Sequence, residues 1–354
     1  MSESCGDPLL ELLELILVTH SPGGDEEEID RLILPHFERS CVDVRQDAAG
    51  NIIGRIPGAS SDNPLLIAAH KDELGLIVKR VEPDGCLRVQ ELGGVTPWKY
   101  GEGPVDILTP QDTIPGVLSI GSMHSTEETA RVHYCRENPV DWASTRVQTR
   151  RTREELRALG VHTGSRVVVA RSRKPPIWVG DCICGYALDD KAALAVMLLV
   201  MAELAGALSP PPRDVYFAAT SIEEQMSGAA AFAASELPAR SMLALEIGPV
   251  EPEYDLELND SPIVWYKDRL GAYSKPMCDR LVEIGQGLGT GCQRAVYSRA
   301  ATDASGARLA GVVGEVSVLS FPALNSHGYE MAPIGGLRNM QLLLLAYVLE
   351  RGSP

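Results

Sequence analysis

The chain has 354 residues, with 32 Lys and Arg against 48 Asp and Glu, so its net charge is −16. A hydrophobic fraction of 45% is that of a globular core and excludes disordered, collagen-like and coiled-coil classes. The acidic balance argues against a nucleic-acid or anionic-membrane partner, because phosphates demand a cationic surface, while it admits metal ions.

The longest apolar run, Ala192 to Ala202, is too short for a bilayer, which needs about 20 residues. The N-terminus lacks a basic region, and Glu11 and Glu14 interrupt its apolar residues, so no signal peptide is expected. Eight cysteines (Cys5, Cys41, Cys86, Cys135, Cys182, Cys184, Cys278, Cys292) in so long a chain are not a disulfide framework. Cys182 and Cys184 are read as core thiols on a strand, not half of a zinc site. The expectation is a cytoplasmic protein.

In chain order, Pro8–Val18 is an amphipathic helix with Leu9, Leu12, Leu13 and Ile16 on one face. Ser21-Pro22-Gly23-Gly24 breaks it. Asp25 followed by Glu28 resembles a capping box that opens a helix to about Phe37. Val42–Val44 and Asn51–Ile56 are short strands. Pro64–Ala69 is a continuous apolar run, the signature of a strand buried on both faces. Val215–Thr220, Met242–Leu245 and Val312–Phe321 repeat it. Between these runs lie helical patterns at Asp190–Leu208, Glu223–Leu237 and Pro276–Gly287. This alternation predicts an α/β fold with a mixed, mostly parallel sheet flanked by helices.

Residues 75–164 break the rhythm. Gly75–Val81 and Cys86–Leu92 flank a hairpin signal, Glu82-Pro83-Asp84-Gly85. Val105–Leu108, Gly116–Ile120 and Arg166–Ala170 are further short strands, with Thr152–Leu159 the one helical stretch. A small all-β module inserted into the α/β domain is expected. The catalytic domain is then discontinuous, 1–74 and 165–354. The seven arginines between Arg131 and Arg157 are read as a solvated loop.

Polar groups follow each buried strand. His70-Lys71-Asp72-Glu73 follows the first, Glu223-Glu224 the second, Glu246 the third, and a loop with Ser326-His327 the last; Asp189-Asp190 opens the buried helix. In open α/β sheets, sites form outside the carboxyl ends of the strands. Imidazole and carboxylate together suit Zn²⁺, Co²⁺ or Mn²⁺. So many converging anions call for cations, and two metals bridged by one carboxylate would neutralise them. In His70-x-Asp72 both side chains fall on one strand face, so Asp72 can orient the imidazole.

At these residues the chain resembles the tetrahedral (TET-type) dinuclear metallo-aminopeptidases, glutamyl and deblocking aminopeptidases among them, some once labelled endoglucanases. The resemblance spans nearly the whole chain. It rests on Ala69-His70-Lys71-Asp72-Glu73-Leu74-Gly75, Ala187-Leu188-Asp189-Asp190-Lys191, Ala219–Glu224, Ala244-Leu245-Glu246, Ala301-Thr302-Asp303-Ala304 and Ser326-His327. It implies a zinc-exopeptidase-like catalytic domain, with the insert at 75–164 as a dimerisation domain. It further implies two divalent ions per subunit, zinc or cobalt. His70, Asp189 and Glu246 would hold the first, and Asp189 (the bridge), Glu224 and His327 the second. Glu223 would be the general base, and Asp72 would orient His70. Short peptides would be the substrates, and dimers would assemble into a dodecamer. The chain departs from the family where Ala323-Leu324-Asn325 replaces a usual Arg-Tyr. It departs again where Gln-Met-Ser-Gly-Ala after Glu224 is one residue short, at Lys71, where an apolar residue is common, and at Glu246, where Asp is frequent.

Another metal-dependent amidohydrolase, a carboxypeptidase or deacylase, shares these ligands, because the pocket and not the metal centre sets the substrate. A non-catalytic scaffold is disfavoured by the intact ligand set. Gly285-x-Gly-x-Gly-x-Gly291 follows a helical pattern and lacks the strand a dinucleotide fingerprint needs.

Overall fold

The computed structural model describes residues 6–127, 130–226 and 228–350, so Cys5 lies outside them. Helix α1 (Pro8–Val18) starts where expected. The Asp7 carboxylate accepts the Leu9 N–H at 3.0 Å, and Pro8 needs no N–H partner at the first helical position. Its Leu9, Leu12, Leu13 and Ile16 are buried. Truncating one such side chain to alanine costs about 2–5 kcal/mol.

The expected capping box of α2 (Glu27–Ser40) is absent. The residue flanking the helix is Glu26, which makes no side-chain cap bond. Glu28 instead pairs with Arg171 at 2.8 Å. A charge-assisted bond to a guanidinium outcompetes a local backbone amide. The helix also runs through Pro35 and past Phe37.

Strands β1 (Val42–Gln46), β2 (Ile52–Ile56) and β3 (Leu65–His70) follow. Next come β4 (Gly75–Val81), β5 (Leu87–Leu92), α3 (Pro97–Tyr100), β6 (Gly103–Leu108) and β7 (Thr113–Ser119). After them stand α4 (Arg131–Glu137), β8 (Arg146–Gln148), α5 (Arg153–Ala158) and β9 (Arg166–Val169). Strands β4-β5-β8-β7-β6-β9 close into a barrel in that order. Its interior is a separate apolar cluster with Leu76, Leu87, Val105, Ile107, Val147 and Val167. The segment is not all-β, because three short helices interrupt it. The arginine-rich stretch is not one solvated loop either. It supplies α4, α5 and the barrel strand β8, whose Val147 is fully buried. Alternation around a single apolar residue is too brief to mark a strand in sequence.

Strands β10 (Ile177–Val179) and β11 (Cys182–Tyr186) lead into α6 (Leu188–Ala205). Cys182 and Cys184 are buried thiols on β11, and no disulfide forms among the described residues. Then come β12 (Val215–Thr220), α7 (Glu223–Met226), α8 (Gly228–Ser235) and β13 (Ser241–Pro249). The helix expected over Glu223–Leu237 is described over Glu223–Met226 and Gly228–Ser235, and Ser227 between them lies outside the described residues. The chain ends with β14 (Ile263–Lys267), α9 (Lys275–Leu288), β15 (Gln293–Val296), α10 (Asp303–Leu309), β16 (Glu315–Ala323), β17 (Tyr329–Pro333) and α11 (Ile334–Leu349).

The main sheet has the order β1-β2-β12-β3-β13-β16-β14-β15. β12, β3, β13 and β16 are mutually parallel, and the antiparallel pairs lie outside them. The fold is therefore mixed α/β. Every residue of β3 is buried, which requires cover on both faces. The apolar α6, packed on β3 and β13 and flanked by α1, α2 and α11, covers one. The pair α8 and α10, packed on β12, β13 and β16, covers the other. No helix among the described residues is long and apolar enough to cross a membrane.

Candidate active site

Parallel strands end together, so their last residues and following loops meet. His70 is the last residue of β3 and pairs in register with Thr220 of β12. Three residues beyond Thr220, α7 opens on Glu223 and Glu224. Asp189 and Asp190 stand at the start of α6 with non-helical backbone angles. Glu246 lies inside β13 and not, as the sequence suggested, just past its end. The strand runs on to Pro249 because β16 extends beside it to Ala323. His327, in the loop between β16 and β17, has φ of 63°.

Asp189 divides its two oxygens between the two histidines. Oδ1 lies 3.1 Å from His70 Nε2, and Oδ2 lies 3.5 Å from His327 Nε2. Each imidazole has a further carboxylate near it. Glu246 Oε1 is 3.9 Å from His70 Nε2, and Glu224 Oε2 is 3.6 Å from His327 Nε2. Glu223 Oε2 is 4.0 Å from His70 Nε2. All seven residues named from sequence (His70, Asp72, Asp189, Glu223, Glu224, Glu246 and His327) therefore converge.

The opposite ring nitrogens face oxygen acceptors. His70 Nδ1 is 3.2 Å from the Asp72 carbonyl and 3.4 Å from Asp72 Oδ1. His327 Nδ1 is 2.8 Å from the Gly94 carbonyl. That approach needs glycine, since a Cβ at Gly94 would sit 2.9 Å from His327 Nδ1. Both rings must spend their Nδ1–H on these acceptors. Each Nε2 then faces carboxylate oxygens, an arrangement that either a proton on the ring nitrogen or a cation between the two groups stabilises.

The carboxylates carry the same message. Burial pushes Asp190, Glu224 and Glu246 well above the usual carboxylate range, and neighbouring carboxylates such as Asp189 push in the same direction. Burial also acts to raise Asp189, but the hydrogen bond with His70 and the charge of His327 leave it lowered. His70 is opposed by burial yet raised well above its ordinary value by Asp189 and Asp72. Both oxygens of Asp190 and Oε1 of Glu224 are buried without a hydrogen-bond partner among the described residues. Donor atoms of His70, Asp189 and Glu224 lie within 4.8 Å of one another, as do those of His70, Asp190 and Glu246. Imidazole nitrogens, anionic oxygens and orphaned lone pairs fit divalent cations.

Three positions have roles that the sequence alone did not assign. Asp190, already placed beside Asp189 among the polar groups of the site, joins the donor set. Glu330 is buried and accepts the Asp189 N–H at 3.0 Å and the His327 N–H at 3.0 Å. Burial raises its carboxyl to about 8, with Asp189 adding to the shift. Gly94 acts through its backbone alone. Lys71 points away from the centre, as alternation requires, and is buried against Glu26 at 3.1 Å and against Asp30. Asp303 is buried against Thr220, within α10.

A cleft of about 530 Å³ opens onto Asp189, Glu223, Glu224, Glu246 and His327. Acidic residues and two histidines at the ends of parallel strands, facing a peptide-sized cleft, define a metal-dependent hydrolase of the exopeptidase type. The profile of the M42 glutamyl aminopeptidases matches residues 50–343, and the chain belongs to that family. Membership places it among the metal-dependent aminopeptidases, hydrolases of peptide bonds.

SgcX of Escherichia coli (strain K12), named as an aminopeptidase, is 27% identical over 233 residues. The match spans 64% of this chain and 58% of that one. Aminopeptidase APDkam598 from the archaeon Desulfurococcus kamchatkensis superposes with a TM-score of 0.86 at 24% identity, over 97% of this chain and 95% of its own. The TET1 peptidase of Pyrococcus horikoshii gives 0.85 at 23% identity, over 97% and 100%. These two likenesses show the fold.

Proposed function

We propose that the protein removes the N-terminal residue from short peptides at a centre of two divalent ions, zinc or cobalt. The observation that carries this reading is the division of Asp189 between His70 and His327. It supports Asp189 as the shared ligand, with His70 and Glu246 on one side and Glu224 and His327 on the other. When bound, such ions acidify water and polarise a scissile carbonyl. Glu223, at the mouth of this cluster, takes the proton of the attacking water and later delivers it to the departing amine nitrogen as the C–N bond breaks. Asp72 holds the His70 ring and the start of α7. The acid-rich centre also suits a free α-ammonium group, the feature that makes the reaction exopeptidic.

The barrel is proposed as a dimerisation domain inserted into a discontinuous catalytic domain. Its closing strand β9 supports an insert reaching Val169 rather than residue 164. The Pyrococcus horikoshii TET1 peptidase assembles into a tetrahedron or a large octahedral shell. By analogy a homo-oligomer built from dimers, a dodecamer, is proposed here, as is a cytoplasmic location.

The test is a panel of aminoacyl-p-nitroanilides with zinc or cobalt, beside N-acetylated counterparts and a chelated sample. Metal-dependent cleavage of the free-amine compounds alone is expected. Cleavage of the N-acetylated set instead would make the protein a deacylase or endopeptidase.

A further inference from the structure

Between His70 and Asp72, which face the centre, Lys71 turns the other way and is fully buried. Its ammonium lies 3.1 Å from Glu26 Oε2, donates to the Gly50 carbonyl at 2.8 Å and pairs with Asp30. Glu26 flanks the start of α2, and Gly50 lies in the turn between β1 and β2. One cation therefore ties the end of β3 to both.

These two places supply acceptors to the segment that leads into Glu223. The Ser221 N–H donates to Asn51 Oδ1 at 3.0 Å, and the Ile222 N–H to Glu26 Oε1 at 3.2 Å. Ser221 Oγ donates to Glu26 Oε2. The next two N–H groups, of Glu223 and Glu224, are accepted by Asp72. Four consecutive backbone donors are held by side-chain oxygens from three different parts of the chain.

The segment needs that support. Ile222 has φ of 56°, a left-handed conformation that a β-branched side chain disfavours. Such a turn keeps its shape only where its surroundings over-determine it. Glu26 is the acceptor at that residue, and it is a carboxylate with 6% of its surface exposed. A buried anion is stable only with a cation held against it. Lys71 is that cation.

We propose that Lys71, acting through Glu26 and the Gly50-Asn51 turn, is a positioning residue for Glu223, fixing the strained turn that aims the base. This rests on the reading of Glu223 as the general base of an aminopeptidase. Lys71 faces away from the cleft, so its loss shows in turnover and in the order of the turn, not in substrate binding.

The test compares the wild type with Lys71→Met, Glu26→Ala and Glu26→Gln, each loaded with whichever of zinc or cobalt activates the wild type. The substrate is the best-cleaved aminoacyl-p-nitroanilide. Lys71→Met and Glu26→Ala should each lose about 10–100-fold in kcat, the scale on which a displacement near 1 Å acts. KM should stay within about threefold of wild type, with two ions retained by mass spectrometry. Glu26→Gln keeps an oxygen for the Ile222 N–H and should recover most of the loss. Lys71→Met/Glu26→Ala should be no worse than the poorer single variant, because both act on one turn. Deuterium exchange reads the turn without catalysis, and the Ile222 amide should exchange about tenfold faster or more in Lys71→Met.

A folded Lys71→Met with kcat within about twofold of wild type overturns the proposal, as do losses that multiply in the double variant or a defect that follows a lost ion. If Lys71→Met does not fold, Glu26→Ala, in which Lys71 keeps Asp30, carries the same expectations, and wild-type kcat there overturns it. Failure of the wild type to cleave any free-amine substrate overturns the aminopeptidase reading and this one with it. Cleavage by the wild type with unchanged turnover and exchange in the variants overturns this one alone.

Discussion

Asp72 Oδ1 accepts the backbone N–H of Glu223 at 2.9 Å. The same carboxylate lies 3.4 Å from His70 Nδ1, and its Oδ2 accepts the Glu224 N–H at 3.3 Å. One buried side chain therefore sets a proposed metal ligand and the start of the helix that carries the proposed base. Asp72→Ala should weaken metal binding or activity by about 10–100-fold, the usual effect of losing the partner that orients a ligating histidine. Metal titration and kcat on a leucyl substrate measure it. Metal affinity and kcat both at wild-type level would remove Asp72 from this role.

Glu223→Gln keeps the shape of the side chain but cannot take up a proton. It should retain both metals and lose about 10²–10⁴ in kcat, the range of a general base. Metal content by mass spectrometry alongside steady-state rates separates the two properties. Wild-type turnover in a metal-replete variant would contradict the assignment.

His327 is the most exposed member of the cluster, with 37% of its side chain accessible. His327→Ala should leave the ion beside His70 and weaken the one beside Glu224, taking stoichiometry from two towards one. Metal that binds only the folded chain stabilises it, by about 4 kcal/mol at a thousandfold excess over Kd. Chelation should therefore lower the melting temperature of the wild type more than that of the variant. Two tightly held ions in His327→Ala would exclude it as a ligand.

How far these residues can be read without a structure depends on the range of the interaction that positions them. His70 was visible because Leu65–Ala69 is apolar without alternation, which marks a strand buried on both faces and points to its end. Glu223 and Glu224 were visible for the same reason after Val215–Thr220. Glu330 was not, because its meaning lies in two backbone N–H groups, one of them 141 residues away. Gly94 was not, because its carbonyl meets a ring 233 residues distant. The α2 cap failed in the same way, since local pattern favoured Asp25 with Glu28 while Arg171 arrived from across the fold. Glu246 was found but misplaced within its strand, because a polar residue inside a buried strand reads as that strand's end. The barrel was legible as short strands and a hairpin. Its strand β8 was hidden among arginines that a mean-charge argument assigns to solvent.

Beneath the site, Glu73 joins Lys174 and Lys191 in a buried cluster. Its Oε1 is 2.7 Å from Lys174 Nζ, and its Oε2 is 3.2 Å from Lys191 Nζ. Glu73→Gln leaves two buried ammonium groups without a counter-charge and should cost about 3–5 kcal/mol. Adding Lys174→Met should restore part of that loss. Urea denaturation of the single and double variants measures both. An undiminished midpoint for Glu73→Gln would mean that the lysines are held neutral.

His20 connects that cluster to the barrel, with Nδ1 2.9 Å from Lys174 Nζ and Nε2 3.1 Å from Asp106 on β6. Burial, with the charge of Lys174 added, takes its imidazole down to about 4. The unfolded chain, with an ordinary imidazole near 6.5, therefore binds the proton first as pH falls. Stability from this group is complete above about pH 6.5 and is lost progressively towards pH 4. Glu73 extends the trend. Burial would raise its carboxyl, but Lys174 and Lys191 hold it at about 2, so its contribution is lost between roughly pH 4.5 and 2. The denaturation midpoint of the wild type should fall through both windows. His20→Gln should flatten the upper window and leave the lower one, and a difference between the two proteins that is constant from pH 4 to 7 would show that His20 does not titrate in the folded state as its burial requires.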